Sequence, residues 1–269
     1  MTLRDGRALM TLVREAAHAA AKVIRDATPR RAQLDWQQKG RSDFVTEVDV
    51  GAERSAIEVL QRAEPGAGFV AEESGRAPGT GDRVSGLQFI IDPLDGTTNF
   101  LHGVPDYAVS IGAVVDGGLV AGVVYSIPRD ECFTAFAGGG AWLGDTQLRV
   151  SGISEPTKAL VGTGCPFKDP AVIPEYVAQM SRVMKGTGGI RRPGAASIDL
   201  ASVAAGRFDA FWETRLSPWD IAAGILLVRE AGGVCTDFDG ATLEPAFSSV
   251  VAGNPAMHAW LLRTLNDKP

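Results

Sequence analysis

Histidine and cysteine are scarce in this 269-residue chain, at three of each. His18, His102 and His258 lie far apart, and Cys132, Cys165 and Cys235 are odd in number and lack metal-ligand spacing. A zinc site of nitrogen and sulfur ligands is therefore poorly supported, as is a disulfide framework. The dispersed thiols fit a reducing cytoplasm and read as packing residues. No run approaches the roughly 18 apolar residues of a membrane span, and the first 26 residues alternate charged and apolar positions at helical spacing, unlike a signal peptide. Basic residues are scattered except for Arg30–Arg31 and Arg191–Arg192, in a chain of formal charge −6. That pattern carries no nucleic-acid footprint. No repeat or low-complexity linker is evident.

The chain is 45% hydrophobic, enough for one large core or two closely joined halves. Amphipathic helices are expected at the N-terminus and over 48–63, with a polar, loop-like stretch between them. "GAGFVAEES" at 66–74 reads as a short strand ending in paired glutamates, and 75–86 as a Gly/Pro/Asp-rich loop. From Tyr107 to Val150, apolar runs broken by turn signals predict an antiparallel meander with a hairpin at Asp116-Gly117-Gly118. Beyond residue 150, strand-like and helix-like stretches alternate. The first half, 1–149, thus reads as α+β and the second, 150–269, as α/β.

One stretch asks for a chemical explanation: "IDPLDGTTNF" at 91–100. The apolar run "LQFII" delivers the chain to two aspartates, Asp92 and Asp95, at what reads as the end of a buried strand. Glu72, Glu73 and Asp220 also sit beside strand ends or helix starts. Gathering carboxylates in a poorly solvated site raises each pKa unless a cation neutralises them. Oxygen ligands suit Mg²⁺, which keeps some of its waters and binds beside phosphate. If "GTTNF" opens a helix, the Gly96 and Thr97 N–H groups face a bound anion, while Pro93 stiffens the turn. Each piece alone has a plainer reading: Asp-Pro-x-Asp-Gly as a surface turn, Glu-Glu as a solvated face, Trp-Asp as a helix cap beside a packing aromatic. Their occurrence together, in one order, favours the chemistry.

Taken together, "DFVTEVD" at 43–49, "EES" at 72–74, "IDPLDGTTNF", "GAAS" at 194–197, "FDAFWE" at 208–213 and "PWDIAAG" at 218–224 resemble the inositol monophosphatase family of Mg²⁺-dependent, lithium-sensitive phosphatases. The pieces span most of the chain. The resemblance implies an alternating αβαβα layered sandwich, usually homodimeric, with the site between the halves and two or three Mg²⁺ ions. It implies that Glu72, Asp92 and the Leu94 carbonyl hold the first ion and that Asp92, Asp95 and Asp220 hold the second, with Glu72 helping at a weaker third. Asp49 and Thr97 would orient and help deprotonate the attacking water. Gly96 and Thr97 would bind phosphate; Ala196, Glu213 and Asp220 would contact the substrate alcohol. Hydrolysis by activated water then needs no covalent enzyme intermediate.

Among the substrates of similar proteins, Thr98 favours inositol monophosphate, since bisphosphonucleoside and histidinol phosphate branches often carry Lys or Arg there. Glu213 agrees, because a carboxylate accepts hydrogen bonds from ring hydroxyls. Fructose 1,6-bisphosphate, histidinol phosphate and adenosine 3′,5′-bisphosphate are the alternatives, as is a catalytically silent regulatory protein that keeps the fold for its surface. Ala71 replaces a glycine of many relatives, and Ser217 a histidine of animal members, which leaves fine substrate preference open. Arg191–Arg192 reads as either simply solvated or at a subunit contact, with the contact slightly favoured.

Overall fold

The computed structural model describes residues 5–77 and 86–267. Helix α1 (Gly6–Ala27) is capped by Asp5, whose carboxylate accepts the Arg7 N–H at 3.0 Å. Its buried stripe, from Leu9 and Val13 through Ala16, Ala17, Ala20 and Ala21 to Ile24, keeps helical spacing. The small alanines let α2 (Glu47–Ala63) and the sheet beneath approach closely. Between the two helices the expected loop is instead a 3₁₀ turn (Thr28–Gln33) and a hairpin of β1 (Gln37–Gly40) and β2 (Asp43–Val45). All four residues of β1 are exposed, so no apolar alternation marks it as a strand.

The large sheet contains β3 (Gly68–Ala71), β4 (Gly75–Ala77), β5 (Leu87–Asp95), β6 (Ala108–Val115), β7 (Gly118–Ser126), β8 (Glu131–Phe136), β9 (Gly140–Leu143) and β10 (Thr146–Gln147). Its order is β10-β9-β8-β7-β6-β5-β3-β4, antiparallel except for the parallel β3–β5 pair. The predicted meander and its hairpin are present: Asp116 and Gly117 form the two-residue loop, both at positive φ, 50° and 87°. The glutamate pair follows β3 in a turn. The predicted loop at 75–86 begins with β4, and its residues 78–85 lie outside the described residues.

The second sheet has the order β12 (Gly189–Arg191), β11 (Leu160–Thr163), β13 (Ala210–Leu216), β15 (Ser248–Gly253), β14 (Val234–Thr236). The remaining helices are α3 (Thr97–His102), α4 (Ile173–Gly186), α5 (Ala196–Ala204), α6 (Pro218–Glu230) and α7 (Pro255–Asn266). Period-two alternation sends successive strand residues to opposite layers. Val109, Ile111, Val123 and Tyr125 pack with α1 and α2, whereas Ala108 and Val124 pack with α5 and α6. In the second sheet Phe211, Val250 and Ala252 also face α5 and α6, while Trp212 and Val251 face α4 and α7. The result is the expected αβαβα sandwich. Helix α6 lies so close to the large sheet that a Cβ on Gly112 would come within 2.9 Å of the Ala222 Cβ. Among the described residues no helix is long and apolar enough to cross a membrane.

Candidate active site

A cavity of about 760 Å³ opens where β5, α3, α5, β13 and α6 converge. Its lining includes Glu72, Asp92, Leu94, Asp95, Gly96, Thr97, Ala196, Glu213 and Asp220. Asp49 stands behind Thr97 and completes the predicted set.

The acids are placed by backbone architecture. Asp92 and Asp95 flank a register break where β5 leaves β6, so both project from a strand that buries Leu87 through Leu94 apart from the half-buried Gln88. Asp92 Oδ1 accepts the Leu94 N–H at 3.0 Å. Asp95 Oδ2 accepts from the Ser197 N–H at 2.8 Å and the Ser197 hydroxyl at 2.5 Å, which ties β5 to α5. Asp49 and Asp220 share one device: each sits three residues after a helix N-cap and reaches back to it. Asp49 Oδ2 accepts the Thr46 N–H at 2.8 Å, and Asp220 Oδ2 accepts the Ser217 N–H at 2.6 Å. Ser217, noted as a departure from animal relatives, is thus the cap of α6.

Burial pushes these carboxyls upward, and they raise one another. Asp92 is held well above the usual range by burial and then by Glu72, Asp95 and Asp220. Asp95 is pushed up to about 6 by burial, against the Ser197 hydrogen bonds, and Asp220 to about 8 by burial with Asp95 and Glu72. Glu213 is likewise pushed up to about 8 by burial, then by Asp220 and Asp95. Among the described residues, no three Asp, Glu, His or Cys side chains are gathered as a group able to hold a metal ion. Protein donors occupy the carboxylates: Lys39 Nζ lies 3.1 Å from Glu72 and 2.8 Å from Glu73. The donor set nevertheless fits an oxygen-preferring divalent cation, because its donors are carboxylate oxygens that stay in conflict: Asp95 and Asp220 raise Asp92, and Asp95 raises Asp220.

Beside the acids, the Thr97 hydroxyl donates to Asp49 Oδ1 at 2.9 Å and lies 3.1 Å from the Leu94 carbonyl. Burial raises the Asp49 carboxyl, while hydrogen bonds from Thr46 and Thr97 lower it. Gly96 caps α3 at φ 90°, and a Cβ there would lie 2.8 Å from the Asp106 carbonyl. Asn99 Nδ2 donates to the carbonyls of Asp106 at 2.6 Å and Pro193 at 2.9 Å, anchoring α3 to the segment that precedes α5.

Ala196 opens α5 and Glu213 projects from β13 on the opposite wall. A Cβ on Gly164 would fall inside the Glu213 carboxylate, so glycine makes room for that acid. Several lining residues escaped sequence reasoning. Lys39, Lys168, Arg192 and Arg215 bring cations to the cavity, although Thr98 itself brings none. Arg215 pairs with Asp169 at 2.5 Å, and Arg192 lies over the Phe167 ring at 5.1 Å, facing the cavity. None belongs to a recognisable spacing pattern. Asp199, missed as well, is fully buried behind this wall without a hydrogen-bond partner for either carboxylate oxygen, and burial, then Glu213 and Asp95, holds it well above the usual range.

A profile of the inositol monophosphatase family matches residues 7–269. The chain belongs to that family. It is 44% identical over 259 residues to a Nus factor SuhB of Pseudomonas aeruginosa, covering 96% of this chain and 95% of that one. It is 42% identical over 258 residues to an inositol-1-monophosphatase of Mesorhizobium japonicum, covering 96% of each. The crystal structure of the extragenic suppressor protein suhB from Bartonella henselae superposes with a TM-score of 0.92 at 40% identity, over 97% of this chain and 100% of that one. An inositol monophosphatase from Anabaena gives 0.85 at 35% identity, over 98% and 97%. The family membership supports phosphatase chemistry at that level.

Proposed function

We propose that this protein is a Mg²⁺-dependent phosphomonoesterase that hydrolyses myo-inositol monophosphate to inositol and phosphate. The observation that carries the reading is the set of carboxyls facing one cavity, Asp92, Asp95 and Asp220 with Glu72 beside them, among which buried Asp92 is held up by burial and by its neighbours. Glu72, Asp92 and the Leu94 carbonyl would hold one ion, and Asp92, Asp95 and Asp220 a second, with Glu72 assisting a third. Bound Mg²⁺ supplies positive charge against the phosphate and the departing alkoxide and makes water more acidic. The chain's own residues do the rest. Thr97 and Asp49 form a hydrogen-bonded pair that orients the attacking water and takes up its proton. Gly96 leaves room for the phosphate beside the Thr97 backbone. Glu213 accepts hydrogen bonds from ring hydroxyls, and Ala196 borders the alcohol.

The protein acts as a cytoplasmic homodimer in this reading. Helix α4 exposes Ile173, Val177 and Met184 along one side, with Met184 64% exposed, an apolar stripe suited to a second copy. The Nus factor names of several relatives favour a second reading, in which the surface serves a regulatory role and the site is silent. Phosphate release from inositol 1-phosphate, measured with and without Mg²⁺, separates the two. Mg²⁺-dependent turnover supports the enzyme; none under any metal condition supports the silent protein. Lithium should inhibit at Mg²⁺ levels that sustain turnover, through the all-oxygen second position.

A further inference from the structure

Helix α2 carries two buried acids one helical turn apart. Asp49 and Glu53 are 1% and 3% exposed, and their i, i+4 spacing puts both on one face of the helix. Asp49 accepts from the Thr97 hydroxyl, whereas Glu53 reaches the loop of residues 72–74 that joins β3 to β4. Glu53 Oε2 accepts the Glu73 N–H at 2.8 Å, and its Oε1 accepts the Ser74 N–H at 2.9 Å. The Glu72 N–H is held separately, by the Ile91 carbonyl at 3.2 Å, next to Asp92.

These three bonds determine the loop. A peptide unit is planar, so holding its N–H fixes the orientation of the whole plane. The planes on either side of the Glu72 Cα are held by Ile91 and by Glu53, which fixes the direction in which the Glu72 side chain leaves the chain. Both planes flanking Glu73 are held by Glu53 alone. A hydroxyl or an amide in its place would satisfy one N–H without adding a negative charge beside Glu72 and Glu73. What the carboxylate contributes is two acceptor oxygens in a rigid fork, each making a charge-assisted bond. Glu53 is itself buried behind the cavity lining rather than part of it.

We propose that Glu53 is a positioning residue for the cation site at Glu72: its carboxylate clamps the β3–β4 loop so that Glu72 is aimed at the acidic wall before any ion binds. The inference rests on reading Glu72 as a cation ligand. Because α2 also carries Asp49, one helix sets both where the cation is held and where the attacking water is oriented, and keeps the two in register.

The test is calorimetric titration of metal-stripped protein with MgCl₂, without substrate, beside thermal unfolding and turnover of inositol 1-phosphate over a range of Mg²⁺. Two variants separate reach from charge. Glu53→Gln keeps the length but gives up one acceptor and the charge; Glu53→Asp keeps the charge but falls short of the loop. Both should bind Mg²⁺ more weakly than wild type, by roughly tenfold to a hundredfold, the cost of losing a partner that orients a metal ligand. Both should regain most of the wild-type kcat at saturating Mg²⁺, because Glu53 touches no reacting atom. Asp49→Asn, by contrast, should lose kcat that added Mg²⁺ does not restore. Wild-type affinity in a folded Glu53→Asp protein overturns the clamp in favour of a charge effect. Wild-type affinity in both variants, with a lowered melting temperature, reduces Glu53 to a structural role, and a kcat deficit that saturating Mg²⁺ leaves in place also overturns the proposal. Where one variant does not fold, the other decides. Absence of Mg²⁺ binding by wild type overturns the proposal together with the metal reading of the site.

Discussion

The two walls of the cavity are built differently. The acidic wall takes Asp92 and Asp95 from one strand, Glu72 from the adjacent strand end and Asp220 from a helix start, and every one of these is within two residues of an element boundary or register break. The alcohol wall takes Glu213 from a register break in β13, Ala196 from the start of α5, and residues 165–169, Arg192 and Gly194 from connecting segments. The first wall holds its charge by backbone hydrogen bonds at Asp92, Asp95 and Asp220. The second depends on side chains making room for one another, as Gly164 does for Glu213. In the proposed reading, chemistry common to all phosphate esters belongs to the acidic wall and choice among alcohols to the other.

Changes in the two walls should consequently differ in kind. Asp92→Asn keeps the shape and removes a charge assigned to both ions, so kcat should fall by at least about a thousandfold on every ester tried. Steady-state kinetics on inositol 1-phosphate and on a minimal ester without ring hydroxyls checks it; near-wild-type turnover at ordinary Mg²⁺ contradicts the bridging role. Glu213→Gln should act selectively. Weakening one charge-assisted hydrogen bond is worth about 1.5–3 kcal/mol, so kcat/KM for inositol 1-phosphate should drop roughly tenfold to a hundredfold, with much less loss on the minimal ester. Equal losses would place Glu213 with the metal chemistry. Gly164→Ala should reproduce that selectivity in weaker form, up to about tenfold, by displacing the Glu213 carboxylate.

The contrast between the walls also explains what was readable in advance. Asp92, Asp95 and Gly96 are legible because a buried strand, a proline and a glycine constrain them locally, and Asp220 because it stands at a helix start, whereas the role of Asp49 is implied only by the family resemblance. The αβαβα layering is implied by the family resemblance, whereas the apolar strands and amphipathic helices by themselves read only as α+β followed by α/β. Lys39 was not legible, since β1 is an exposed strand held by backbone pairing, with no hydrophobic period to announce it. Arg192, which the sequence reads as solvated or at a subunit contact, faces the cavity over Phe167 beside the turn at Gly194, φ 95°. Lys168 and Arg192 mean that Thr98 alone is an incomplete guide to a second phosphate. A comparison of kcat/KM for inositol 1-phosphate and fructose 1,6-bisphosphate therefore bears on the alcohol wall: preference for the monophosphate is expected, and the reverse overturns the substrate assignment while sparing the acidic wall.

The smallest effect concerns pH. Asp220 and Glu213, pushed up to about 8, hold protons in the folded protein that the unfolded chain has released above about pH 4.5. The unfolded state then binds fewer protons, so stability falls as pH rises toward 8. Metal-free protein should melt lower at pH 8 than at pH 6, on the order of 5 °C, and Mg²⁺ should remove most of that difference. A melting temperature rising over this interval would show that the carboxyls find compensation elsewhere.

The most direct test of the central claim is phosphate release from inositol 1-phosphate by metal-stripped protein before and after Mg²⁺ is restored, with Asp92→Asn in parallel. The account predicts no turnover without metal, full recovery in wild type on adding Mg²⁺, and none in the variant. Turnover that persists in stripped wild-type protein, or that Mg²⁺ restores equally in Asp92→Asn, would contradict a cation-dependent acidic wall as the seat of catalysis.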